Sequence, residues 1–114
     1  MRTVTLEVAS RESANRRFLQ AFEGEQHGDV ISFESPALLF KVLSGKRWEV
    51  LNVMTGAGPM AIRELARRLD RDVKAVHGDV RALLNAGILQ KTEDGKVSFP
   101  FDALHVDFML KEAA

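Results

Sequence analysis

From Met60 to Phe99 the chain passes through a short amphipathic stretch, a charged turn, a longer amphipathic stretch, a glycine and an Asp-Gly turn, and this order leaves few folds open. Leu65, Ala66 and Leu69 recur at helical spacing, which predicts a compact helix over residues 63–69, with a stub of strand at 60–62 before it. Asp70-Arg71-Asp72 makes a turn. Asp72 is placed to cap a second helix, running from Val73 to about Ala86, whose buried face is Val76, Val80, Leu83 and Leu84. Gly87 supplies a left-handed stop. Residues 88–91 and 96–99 then flank Thr92-Glu93-Asp94-Gly95, a hairpin with Asp-Gly in its turn.

Two helices that cross closely need a small residue at the contact, and Ala66 stands there. Leu65, Leu69 and Val76 form the small core beneath the turn, at the separation that a helix-turn-helix requires. A generic helical hairpin would explain the apolar spacing, but it does not call for a glycine stop and a β-hairpin directly afterwards. The segment therefore reads as a winged helix-turn-helix, within a chain of α+β class.

Around it, Val4, Leu6 and Val8 alternate with Thr3, Thr5 and Glu7, the period of a strand with one buried face. Ser10 is placed to cap a helix ending near Gly24, with Ala14, Phe18, Ala21 and Phe22 inward, and residues 29–34 read as a second strand. Ser35-Pro36 starts a helix carrying Leu38, Leu39, Val42 and Leu43, and after Gly45 another follows with Trp48, Leu51 and Met54 as its buried stripe. Gly56 to Pro59 ends it. Leu104, Val106, Phe108 and Leu110 again alternate, so residues 103–110 form a strand. A lone exposed strand invites aggregation, and only the N-terminal strands remain to pair with it, within one subunit or between two. The expected organisation is a strand-helix-strand element over 1–35, serving as a dimerisation or partner surface; a winged helix-turn-helix over 36–101; and a C-terminal strand in 102–114 packed on the first element.

Composition narrows the function. With 46% hydrophobic and 28% charged residues the chain is an ordinary globular one, and the absence of cysteine excludes disulfides, thiolate metal sites and thiol nucleophiles. His27, His77 and His105 lack metal-site spacing, and no glycine-rich phosphate loop or Ser/His/Asp grouping is present. Neither a metal, a cofactor nor an enzymatic activity is expected. No apolar run is long enough to cross a bilayer, and no signal peptide precedes the first strand, so the cytoplasm is the expected compartment and a membrane is not an expected partner. Net charge is zero, but residues 60–96 carry +2 and residues 97–114 carry −2.

The run from Val76 to Leu89 resembles the recognition helix and the start of the wing in MarR-like and DeoR-like regulators. More closely, Ser32 to Pro36, Lys46 to Glu49, Gly56 to Pro59 and Ile62 to Val80 together look like a family of small archaeal and bacterial DNA-binding proteins described as transcriptional regulators. That resemblance covers most of the chain and implies binding of double-stranded DNA by a homodimer. Two departures stand out: Asp70 occupies a turn where glycine is frequent, and Gly78 a place where a basic side chain is frequent.

On the second helix Lys74, His77 and Arg81 fall on the face opposite Val76, Val80 and Leu83, where they would point into a major groove. Arg71 at the helix entrance is expected to reach a phosphate or base edge. Gly78 either costs the helix about 1 kcal/mol for nothing or lets its backbone approach DNA. Lys91 and Lys96 flank the wing turn, with Glu93 and Asp94 opposing them at its tip. Arg63, Arg67 and Arg68 decorate the first helix of the pair, and Asp79 is expected to be an ion-pair partner because phosphates repel a carboxylate. The leading expectation is a dimeric transcriptional regulator, in its simplest form a repressor that occludes a promoter. One variant is an antitoxin-type repressor whose terminal strands hold a toxin-like protein partner. The competing class is a winged helix used only for protein–protein interaction.

Overall fold

The computed structural model describes residues 2–8 and 29–110. Within them an α+β architecture holds four helices, a three-stranded sheet and a two-stranded hairpin. In chain order these are β1 (Thr3–Val8), β2 (Asp29–Phe33), α1 (Pro36–Val42), α2 (Gly45–Met54), α3 (Ile62–Leu69), α4 (Val73–Asn85), β3 (Gln90–Lys91), β4 (Val97–Ser98) and β5 (Ala103–Asp107). The expected helix from Ser10 to about Gly24, with Phe18 and Phe22, lies outside the described residues.

The sheet joins the two ends of the chain within one molecule. Its order is β2-β1-β5 with both pairings parallel, so that Leu6 stands between Ile31 and Val106. Val4 and Leu6 are fully buried, as their alternation requires. Glu7, on the opposite face, is also buried, at 8% exposure, and the Ser32 hydroxyl donates to its Oε1 at 3.1 Å. Arg2 fastens the start of the sheet. Its backbone N–H donates to Asp102 Oδ2 at 2.6 Å and its guanidinium to Asp29 Oδ2 at 2.9 Å, while the same guanidinium lies 4.7 Å from the centre of the Phe101 ring. That hydrogen bond holds the Asp29 carboxyl below the usual carboxylate range.

Helix ends follow local chemistry. Ser35 Oγ accepts from the Leu38 N–H at 3.2 Å ahead of Pro36, and Asp72 Oδ2 accepts from the Ala75 N–H at 3.3 Å to start α4. Gly87 closes α4 at φ +83°, which an L side chain would resist. One core gathers Leu39 of α1, Val50, Leu51 and Met54 of α2, Leu65 and Ala66 of α3, and Val76, Val80 and Leu83 of α4, together with Val4 and Leu6. The stub expected at 60–62 is a single bridge: Met60 and Val97 exchange N–H···O bonds at 2.9 and 3.0 Å, tying the segment before α3 to the hairpin.

Three expectations are corrected. Trp48 is 48% exposed rather than core, because α2 turns Val50, Leu51 and Met54 inward and leaves the tryptophan on its flank. Leu38 is exposed as well, and of the four apolar residues expected to line α1 only Leu39 is fully buried. Strand β5 stops at Asp107 although the alternation continues to Leu110, which is 95% exposed.

Candidate functional site

Helix α4 is held by an ionic cluster beneath it. Asp79 Oδ1 accepts from Arg47 Nε of α2 at 3.2 Å, and its Oδ2 accepts from Arg71 Nη2, in the turn before α4, at 2.8 Å. The side chains retain 24% (Arg47), 16% (Asp79) and 15% (Arg71) of their exposure, so water screens the cluster only weakly. Arg47 Nη1 also donates to the Lys41 carbonyl at 2.9 Å, while Arg71 Nη1 is buried with no hydrogen-bond partner. Asp79 is thus the ion-pair partner expected from its place between Gly78 and Val80. Arg71 is not on the open surface; its guanidinium is committed inward.

The opposite face of α4 is open. Lys74, His77, Gly78 and Arg81 are all exposed along it, while Val76, Val80 and Leu83 point into the core. A Cβ at Gly78 would meet nothing within 4 Å, so packing within the protein does not require glycine there. Between α4 and the hairpin lies a cleft of about 310 Å³, with Ile62, Val80, Leu84 and Val97 at its base and His77, Arg81, Asn85 and Lys91 around it. The structure thus brings His77, Arg81 and Lys91 together across this cleft. Asn85 was missed by a reading that followed cations, although it lies four residues beyond Arg81 on the same helix.

Charge is distributed unevenly over these elements. Glu64 binds both Arg67, through Nη2 at 2.5 Å, and Arg68, through Nε at 2.9 Å; the two hydrogen bonds, Arg67 first, hold its carboxyl down at a pKa of about 2. Lys96 lies 3.8 Å from Asp94, whose carboxyl is held below the usual range chiefly by the Thr92 hydroxyl that donates to it. Lys74, Arg81 and Lys91 have no carboxylate within ion-pair distance among the described residues, nor do Lys41, Lys46 and Arg63. Among the described residues there is also no grouping of three or more acidic or histidine side chains able to hold a metal ion, and no helix long and apolar enough to cross a membrane.

A family model described as HVO_A0114 matches residues 42–106, more than half of the chain, from the end of α1 into β5. No curated protein and no solved structure matches the chain.

Proposed function

This chain belongs to the HVO_A0114 family, and we propose that it is a non-enzymatic, sequence-specific regulator that binds double-stranded DNA through a winged helix-turn-helix formed by α3, α4 and the β3–β4 hairpin. The observation that carries this reading is the contrast between two sets of cations. Arg47 and Arg71 share the Asp79 carboxylate and Arg67 and Arg68 share that of Glu64, whereas Lys74 and Arg81 on the open face of α4, and Lys91 across the cleft from Arg81, have no carboxylate partner among the described residues. Exposed cations without carboxylate partners are what a phosphate backbone selects. The resemblance of Val76 to Leu89 to MarR-like regulators supports the same reading.

In this arrangement α4 enters a major groove by its Lys74, His77 and Arg81 face. Gly78 lets the helix backbone approach, Lys91 takes a phosphate beside it, and Lys96 takes another by exchanging its exposed Asp94 partner, 3.8 Å away, for the phosphate. Arg71 acts indirectly, fixing the angle at which α4 leaves the turn. A homodimer places two α4 helices in successive grooves about 34 Å apart, and occlusion of a promoter makes it a repressor.

The test is a salt-titrated binding assay on double-stranded DNA. Affinity is expected to fall steeply with salt, and the variant carrying Lys74→Ala and Arg81→Ala together to bind more weakly, with a salt slope shallower by about 2. Binding and slope unchanged in that variant would remove α4 from the interface. No binding at low salt would leave the protein-interaction reading, which the exposed carboxylates of Glu93 and Asp94 at the hairpin tip favour.

A further inference from the structure

Strand β5 is an edge of the sheet among the described residues, and apart from the charge of Asp107 its sequence does little to protect that edge: Ala103 to Leu110 contains no proline, lysine or glycine. Its residues are also arranged symmetrically about Val106. Leu104 and Phe108 flank it two positions away on one face, and His105 and Asp107 flank it one position away on the other, both exposed. We propose that a second copy of this chain pairs with β5 antiparallel across a two-fold axis at Val106, making one six-stranded sheet from two subunits. This deepens the homodimer of the reading above and rests on it only in treating the chain as a two-fold pair.

The register follows from the symmetry. Val106 faces Val106 of the partner subunit, so Leu104 faces the partner's Phe108 and His105 faces the partner's Asp107, each pair occurring twice. An imidazole opposite a carboxylate is a favourable cross-strand pair, and here it would sit beside Glu7, which is in register with Asp107 on the same sheet face. A shift of one residue would set each Asp107 against an apolar neighbour and break every such pair.

Two further features find an occupant in this arrangement. Beside Leu104 and Ala103 lies a cavity of about 120 Å³, walled by Leu51, Phe99 and the half-exposed Trp48. The partner's Phe108, whose ring meets Phe40 of its own chain edge-on at 5.3 Å, arrives on this side of the sheet next to Leu104, at the rim of this cavity. The strand also ends early in the single chain, leaving Met109 79% and Leu110 95% exposed although the alternation runs through them. In the paired sheet Met109 faces the partner's Ala103, and the strand continues to the length that its sequence predicts.

The experiment is sedimentation equilibrium without DNA on the full chain and three variants. The wild-type chain is expected to be a dimer at micromolar concentration. His105→Asp alone sets carboxylates opposite each other, and Asp107→Lys alone sets a cation against His105; each is expected to weaken the dimer about tenfold or more. The double exchange, His105→Asp with Asp107→Lys, restores opposite charges in both pairs and is expected to recover most of the affinity. Both positions are exposed, so circular dichroism and thermal melts confirm that the variants fold. A wild-type monomer at 100-fold higher concentration overturns the proposal, as does a dimer indifferent to the single variants or not rescued by the double. Because DNA is absent throughout, these outcomes stand apart from failure of the α4 surface to bind it.

Discussion

Replacing Asp79 with alanine removes the one carboxylate between two guanidinium groups and leaves both positive charges in place. Arg47 Nε and Arg71 Nη2 lie 3.2 and 2.8 Å from the two oxygens of that carboxylate, so without it two unit charges remain about 5 to 6 Å apart. At an effective dielectric constant of about 20 their repulsion is about 3 kcal/mol. Breaking a buried ion pair on one side costs about 3–5 kcal/mol in general, and the 15 to 24% exposure kept by these side chains lets water recover part of it. A loss of about 2–4 kcal/mol is expected. For a chain of 114 residues the unfolding entropy is on the order of 0.24 kcal/mol per kelvin, so the midpoint should fall by roughly 8–16 °C. Urea unfolding of Asp79→Ala measures the loss directly. The decisive comparison adds Arg71→Met, which takes away one of the stranded charges and should return part of the stability. A loss below about 1 kcal/mol, or a double variant no more stable than Asp79→Ala, would refute the claim that this cluster holds α4 to α2.

Other perturbations test separate links. Asp70 sits at φ 52° and ψ 49° at the C-terminal end of α3, a left-handed conformation and a charge that the helix end disfavours, so Asp70→Gly should stabilise the fold by about 0.5–1 kcal/mol in denaturant unfolding. Gly78→Ala fills open space in the interior of α4 and should raise stability by about 1 kcal/mol while weakening DNA binding, a divergence that melting and binding assays on one preparation would reveal. Glu64 has its carboxyl depressed to a pKa of about 2 by Arg67 and Arg68, so its contribution is complete above the ordinary carboxylate pKa of about 4.3 and disappears as pH falls through about 2. An NMR titration should place its midpoint there, with added salt moving it upward because the group is exposed.

Features written in adjacent residues were legible in the sequence. The helix start at Ser35-Pro36, the cap at Asp72, the stop at Gly87 and the turn at Asp94-Gly95 each depend on neighbours within a few positions, and each stands where the pattern puts it. The joining of the two chain ends was legible by elimination, since β5 had no other strand to pair with. Long-range geometry was not. Arg71 reads as a surface cation until Asp79 and the distant Arg47 fold against it, and the flank of α2 that Trp48 occupies depends on how α2 rolls over α3 and α4. The open face of α4 was read correctly as a set of exposed residues because one helical period fixes it. The cleft that joins it to Lys91 required the hairpin to be placed in space.

The parallel pairing of β1 with β5 carries a cost in time. Thr3 to Glu7 must wait for Ala103 to Asp107 before the sheet can be completed, so this one pairing spans almost the largest sequence separation that a chain of this length allows. Helices α2, α3 and α4 and the hairpin make their contacts over short separations and can assemble while the C-terminal strand is still being synthesised. Until β5 arrives, one edge of β1 stays uncovered, with Val4 and Leu6 lacking their final neighbours. A chain cut short before Ala103 would therefore leave the sheet's most buried strand with an open edge, making it a natural substrate for chaperones and proteases.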